Sequence, residues 1–264
     1  MRSLALAFYA LCAVTVGRTA EAGGKMELPP VKVKSTVRGA YEVSRSGDRI
    51  GREDFIRTMM SNNTVVYESV FEVAEGEGTV VSGNNRLEVE EDSGFPRSYF
   101  TQRRTQGPTD ESLREVTVEM YTNVAVVSER QGDRDGERVL VLPTGCLFME
   151  GNTAGHLAAV LARYDREAGG KQSFRSFDPL GVATTDVVLE DAGDSTLVLT
   201  GEAAPGESRS RSTEHFRYRT AGFPVIDFFV DDEERIIRID TGPSDLVYTL
   251  ISHEETPGST SPVK

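Results

Sequence analysis

The 264-residue chain has no tryptophan, only three histidines and only two cysteines. Two cysteines exclude a small fold held together by several disulfides, and they also exclude a zinc module built from many cysteines. Three histidines leave little for a histidine-rich metal site. The composition therefore predicts no metal site.

Basic residues are also scarce, because 29 Lys and Arg stand against 42 Asp and Glu, for a formal net charge of −13. Proteins hold nucleic acid mainly through clustered Lys and Arg, which release counterions from the phosphates. We therefore expect no nucleic-acid partner. The same charge argues against adhesion to an anionic membrane surface.

Long apolar runs are missing except near the N-terminus. Arg2 precedes an apolar run from Leu4 to Val16, which is too short to span a membrane as a helix. The Ala20-Glu21-Ala22 sequence that follows is typical of a cleavage site, so residues 1–22 are predicted to be a signal peptide. The alternatives are an N-terminal anchor or a buried helix. We expect a periplasmic protein, with the extracellular space as the alternative, and no transmembrane segment.

Cleavage after Ala22 would remove Cys12 and leave Cys146 as the remaining cysteine. One cysteine cannot close an internal disulfide. We predict that Cys146 is a small buried side chain rather than a reactive thiol.

The common catalytic signatures are absent. The sequence has no phosphate-binding G-x-x-x-x-G-K-[ST] run, no G-x-S-x-G elbow and no H-E-x-x-H zinc motif. Asp133 to Gly136 resembles part of a calcium loop, but Gln131 and Leu142 would then occupy ligand positions and neither has a carboxylate. The sequence predicts no catalytic residue and no cofactor, and hence a protein that is not an enzyme.

Most of the chain consists of short alternating apolar runs separated by Gly, Asp and Asn turns. This pattern predicts antiparallel strands over a single β-rich domain at residues 36–253. We expect an extended leader at 23–35 and a disordered tail at 254–264.

One segment has helical rather than strand periodicity. Apolar residues at positions 157, 160, 161 and 164 have the spacing of an amphipathic helix, predicted over about 153–168. Asn152 or Thr153 could cap its start, and Gly169-Gly170 could end it. The fold prediction from these patterns is therefore all-β: an antiparallel meander that closes into a barrel or packs on itself, with one amphipathic α-helix.

The stretch from residue 142 to residue 179 combines an L-P-x-G-x-x-F motif, a helix with an early histidine, a glycine stop and an F-D strand. The residues that carry this pattern are Leu142, Pro143, Gly145, Phe148, His156, Gly170, Phe177 and Asp178. It resembles a group of exported bacterial β-rich proteins of largely unknown function, similar to the periplasmic envelope-integrity protein B type. The resemblance implies a fold in which a long antiparallel sheet is curled into an open barrel or spiral, with one central amphipathic α-helix, and it implies a non-enzymatic envelope role. This chain departs from those proteins in one respect: they can carry a disulfide, whereas its predicted mature form has one cysteine.

A curled sheet with one helix has a concave face that could hold an apolar ligand or an envelope protein. The side chains predicted to line it are His156, Val160, Tyr164, Phe177 and Phe228. A structural role for His156, bonded to a neighbouring strand, is favoured over a role as a base. Because Phe228 and Phe229 are adjacent in a strand, they must point to opposite faces, and both faces need a cover of protein or ligand.

Three functions follow from these expectations, in order. The first is a non-enzymatic exported binding protein. The second is a structural or scaffold protein of the envelope without a small-molecule ligand, and the third is an enzyme of unrecognised type. The sequence predicts no oligomeric state.

Overall fold

The computed structural model describes residues 31–149, 154–198, 210–221 and 224–258. The predicted signal peptide, most of the leader, the predicted helix caps Asn152 and Thr153, and the last six residues of the predicted tail lie outside the described residues. Cleavage of the signal peptide after Ala22 therefore stays a prediction.

The described chain forms fifteen strands, one α-helix and a short 3-10 turn at Gly242–Ser244. The elements in chain order are β1 (Val33–Arg45), β2 (Asp48–Met60), β3 (Thr64–Gly76), β4 (Thr79–Glu90), β5 (Pro96–Gln106), β6 (Glu111–Tyr121), β7 (Val124–Gln131), β8 (Arg134–Val141), β9 (Leu147–Phe148), α1 (Ala154–Leu161), β10 (Lys171–Asp178), β11 (Ala183–Val198), β12 (Ser210–Thr220), β13 (Ile226–Val230), β14 (Ile236–Asp240) and β15 (Leu246–Pro257).

All fifteen strands belong to one sheet, whose order is β8-β7-β6-β5-β4-β3-β2-β1-β15-β14-β13-β12-β11-β10-β9. The chain starts in the middle at β1, runs outward by hairpins to β8, passes through α1, and returns by hairpins from β10 to β15. Every pairing is antiparallel except β9 with β10. This confirms the prediction of a long antiparallel sheet with one helix.

The sheet curls so that strands from its two ends meet. The ring of Tyr99 in β5 packs edge-on against Phe148 in β9, with centroids 6.3 Å apart. Arg114 in β6 donates a hydrogen bond to the carbonyl oxygen of Leu180, in the turn after β10, at 2.7 Å. No ladder joins β8 to β9 in the described residues, so the barrel is open, as predicted.

The helix is shorter than its predicted span of 153–168, because it ends at Leu161. The next turn is tightened, with the N–H of Tyr164 donating to the carbonyl of Leu161. Beyond it the carboxylate of Asp165 accepts hydrogen bonds from the N–H groups of Glu167 and Ala168. A side chain that takes these donors offers the backbone an alternative to further helix.

Two further boundaries differ from the sequence pattern. In the sequence, apolar residues alternate from residue 115 to residue 128 as in one continuous strand. The structure instead forms a hairpin of β6 and β7, in which Thr122 adopts a left-handed conformation with φ of 61°. A threonine is an unusual residue at such a position, so the turn carried little signal. At the other end, β15 continues to Pro257 and pairs with β1, so residues 254–257 are strand and not disordered tail.

The helix lies inside the curl and divides the core into two clusters. The first joins one helix face, with Leu157 and Val160, to β1 and to the strands from β11 to β15. The second joins Ala159 to β3 through β7, β9 and β10. Alternation in the strands produces both clusters. In β4, for example, Val81, Leu87 and Val89 point inward while their neighbours are half-exposed.

Candidate functional site

The five side chains predicted to line a binding surface are all buried by other protein side chains. They are His156, Val160, Tyr164, Phe177 and Phe228. Val160, Tyr164 and Phe228 belong to the first core cluster, and Phe177 belongs to the second. The structure brings them around the helix, but none of them lines the interior cavity described below.

His156 is completely buried, and its ring lies 5.6 Å from the ring of Tyr99, centroid to centroid. Burial lowers the pKa of His156 to about 4, because a charged imidazolium would have to leave water. At neutral pH the side chain is therefore a neutral part of the core.

The aromatic members of the predicted set pack against other aromatic side chains of the core. The ring of Tyr164 packs edge-on against Phe216 at 5.2 Å, and Phe216 stacks on Phe228 at 5.4 Å. The ring of Phe177 lies 5.4 Å from Phe148. Such pairs stabilise a core beyond the area they bury. Packing within the core therefore accounts for the aromatic side chains in these strands.

The adjacent pair Phe228 and Phe229 points to opposite faces, as predicted, and protein covers both. Phe228 lies in the core, whereas Phe229 stacks against His215 with centroids 4.7 Å apart. The His215 Nε2 atom in turn lies 2.6 Å from a carboxylate oxygen of Asp227. The outer face of β13 is therefore covered by a neighbouring side chain.

An interior cavity of about 190 Å³ lies beside the N-terminal half of α1. Its walls are the inner faces of four neighbouring strands (β15, β1, β2 and β3), the helix, and the turn between β13 and β14. The side chains that line it include Val37, Tyr41, Phe55, Arg57, Met59, Tyr67, Ala154, Gly155, Ala158, Arg235, Ile236, Leu250 and His253.

The cavity exists because the helix presents small residues to it. Ala154, Gly155 and Ala158 face this side, and a Cβ atom added to Gly155 would make only an ordinary contact with Tyr67, at 3.7 Å. Across the cavity the ring of Phe55 lies over Gly39, where any larger side chain would collide with it.

The strand pattern places two charged side chains of β2, Glu53 and Arg57, on the inner face, and Arg57 lines the cavity. Arg57 lies between Phe55 and Met59 in β2 and directly opposite Tyr67 in β3. Burial raises the pKa of the Tyr67 hydroxyl, and the charge and hydrogen bond of Arg57 partly offset that rise. The Arg57 Nε–H is buried and has no acceptor among the described residues.

The turn between β13 and β14 forms one side of the cavity mouth and is held by Asp231. The carboxylate of Asp231 accepts hydrogen bonds from the backbone N–H groups of Glu233 and Arg235, and from Nε of Arg235 at 2.8 Å. Burial opposes ionisation of Asp231, but these bonds outweigh it and lower its pKa. Arg235 also pairs with Glu233 at 2.7 Å, so its charge is matched by acids.

A buried carboxylate caps the helix where the cavity begins. The N–H of Ala154 donates to Oε2 of Glu53 at 3.3 Å, and Glu53 is 1% exposed. The positive end of the helix dipole favours a carboxylate there. Glu53, in β2, therefore fixes the start of the helix against the sheet.

Sequence reasoning missed the cavity residues Phe55, Arg57 and Met59. Their signal was a period of two: they occupy alternate positions of one strand, which puts an arginine in line with two apolar side chains. The prediction that Cys146 is buried is confirmed, and the cysteine is free rather than in a disulfide. Burial raises the pKa of its thiol to about 11.

Within the described part of the chain, no three His, Cys, Asp or Glu side chains converge on a point that could hold a metal ion. In the same residues, no helix is long and apolar enough to cross a membrane.

The fold and the cavity define a β-barrel-like protein with an open sheet and a central helix. A solved structure has this fold: the β-barrel-like protein of the domain of unknown function DUF1849 from Brucella abortus. It aligns with a TM-score of 0.56 at 12% sequence identity, covering 84% of this chain and 98% of that one. No family model and no curated protein matches the sequence.

Proposed function

We propose that the chain is an exported, non-enzymatic binding protein of the bacterial cell envelope that holds a small apolar ligand beside its central helix. The observation that carries the proposal is the cavity of about 190 Å³, with walls from four strands and the helix. A buried apolar space of about 150 Å³ is enough to bind benzene. The proposed binding cavity is therefore lined by different residues from the binding surface that was predicted from sequence.

The location in the proposal rests on the sequence. Residues 1–22 have the three parts of a signal peptide. The resemblance to the envelope-integrity protein B type supports a periplasmic location and a non-enzymatic role. An extracellular location is the alternative.

The experiment is a titration of the folded mature chain with 1-hexanol, followed by ligand-observed NMR. We expect saturable binding at one site. Ala158→Trp should abolish it, because residue 158 lines the cavity and the indole would fill that space. Ala162→Trp is the matched control, since residue 162 lies one turn further along and is exposed.

Two results would contradict the proposal. One is the absence of hexanol binding to a native chain whose circular dichroism shows a folded sheet. The other is unchanged binding in a folded Ala158→Trp variant.

A scaffold protein is the second candidate, favoured by the edge strand β8. It is the end of the sheet, and two of its side chains, Val139 and Val141, are 64% and 74% exposed. An edge with exposed β-branched residues can accept a strand from another protein. Native mass spectrometry of protein purified from its source envelope separates the two: a retained small molecule supports the carrier, and a retained protein supports the scaffold.

A further inference from the structure

Polar and apolar side chains both line the cavity, and one of the polar ones, Arg57, has an unused donor. The buried Nε–H of Arg57 has no acceptor in the described residues. A buried donor without a partner costs free energy that an added acceptor recovers. A ligand that presents an oxygen to Arg57 would supply the acceptor.

Other positive groups at the cavity are already matched or neutral. Arg235 is held by the carboxylates of Asp231 and Glu233, each at 2.7 Å. Burial and the nearby charge of Arg235 lower the pKa of His253. A neutral imidazole is thereby favoured at neutral pH, which leaves Arg57 as the cation that can receive an anionic group.

The apolar walls and the volume of the cavity restrict the part of the ligand to which the anionic group is attached. Phe55, Met59 and Leu250 line the space with apolar surface. A bare inorganic anion would lose its hydration there and would have no apolar body to contact these side chains. Compared with about 150 Å³ for benzene, the observed volume of about 190 Å³ suits a body of about six to ten carbon atoms.

Acidic residues at the mouth limit the ligand's charge. Glu234 and Glu255 line the opening and are exposed, and the Glu234 side chain is 78% exposed. Their repulsion of a single negative charge is screened by water and salt, but it grows with each further charge on the ligand. A phosphate or a dicarboxylate is therefore disfavoured.

We propose that the ligand is a small monocarboxylic acid whose carboxylate binds the guanidinium of Arg57 while its apolar body fills the cavity. This rests on the proposed function, because it names the ligand class of the same cavity. The guanidinium fork matches a carboxylate in geometry and charge, and such hydrogen bonds are among the stronger ones in proteins.

The test compares hexanoate with 1-hexanol at pH 7 by ligand-observed NMR, since the two probes differ only at the head group. In the native chain hexanoate should bind about tenfold or more tightly than hexanol, the size expected of a charged hydrogen bond. Arg57→Met should remove this preference while hexanol still binds. Arg38→Met is the matched control, since it removes one positive charge from an exposed position on β1.

Each other outcome has a distinct meaning. Equal binding of the two probes to the native chain overturns the carboxylate assignment and leaves the cavity proposal standing. Binding of neither probe overturns the proposed function itself. A folded Arg57→Met variant that keeps the preference for hexanoate shows that another group receives the carboxylate. The comparison of probes on the native chain stands even if the Arg57 variant fails to fold.

Discussion

The two faces of the single helix differ in a way that explains where the protein could bind anything. On one face His156, Leu157 and Val160 are sealed by two core clusters, with no more than 1% of each side chain exposed. On the other face Ala154, Gly155 and Ala158 stop short of the sheet and leave a cavity. The two faces share one backbone, so the volume of the side chains decides between a packed core and a binding space.

The difference extends to charge. On the sealed face an ionisable group, His156, is kept neutral by burial. Opposite the open face, Arg57 of β2 lies beside apolar side chains in the cavity wall. The sealed face contributes stability and the open face contributes the candidate chemistry, so substitutions on the two should separate folding from binding.

The largest effect on stability should come from creating a cavity on the sealed face of the helix. Leu157→Ala removes a side chain that is 1% exposed, so it should lower the free energy of unfolding by about 2–5 kcal/mol. Urea denaturation would measure it. Leu161→Ala is the control one turn later, at a half-buried position, and should cost less. An equal loss at both sites would show that the sealed face has been assigned wrongly.

The next effect is a pH dependence that originates on the sealed face. His156 has a pKa of about 4 in the folded chain, below its ordinary value of 6.5. The unfolded chain therefore takes up the proton first, and stability falls as pH drops from 6.5 toward 4, by up to about 3 kcal/mol.

Unfolding free energies measured across this range should show the fall. A folded His156→Gln variant should lose the part that His156 contributes. The same pH dependence in that variant would assign it to other groups.

A smaller effect is expected where the two faces meet, at the helix start. Glu53→Ala removes the acceptor for the N–H of Ala154, and the loss of such a cap in a buried place should cost about 1–3 kcal/mol. Glu53→Gln keeps an oxygen acceptor and should cost less. Thermal unfolding of the two variants would measure the difference, and a more stable Ala variant would contradict the capping role.

The smallest effect should come from the open face and have the opposite sign. Gly155→Ala adds a methyl group where 3.7 Å separates it from Tyr67, and alanine favours a helix over glycine by about 0.5–1 kcal/mol. We expect a slight gain in stability, seen as a higher midpoint in urea. A loss of more than about 1 kcal/mol would mean that this face is packed as tightly as the other.

The sequence predicted the architecture better than the site, for a physical reason. Strand alternation and the spacing of Leu157, Val160 and Tyr164 are local signals, and they indicated an antiparallel sheet with one helix. The open curl of the sheet around that helix was implied by the family resemblance. The end of the helix depended on Asp165, whose side chain takes backbone donors in a way that periodicity does not show. The predicted site residues were chosen for aromatic character, and aromatic side chains fill cores first.

The cavity was not predictable from such patterns, because it results from the small side-chain volume of the residues around it. Gly39 lies beneath the ring of Phe55, and Gly155 and Ala158 leave room on the helix. Small residues give no hydrophobic signal, and the strands that meet around them are distant in sequence. Glu53 and Arg57, two charged residues at inward-facing positions of β2, carried a local sign of the site.

The position of β1 and β15 side by side has a consequence for how the chain assembles. The strands at the two ends of the described chain lie at the centre of the sheet, whereas strands from its middle form the sheet's edges. Two meanders can each form early from neighbouring hairpins, but they join only when β15 docks on β1. That joining closes a very long loop and carries its entropic cost. Assembly of the native barrel thus requires the last strand, and removing that strand would divide the sheet at its centre.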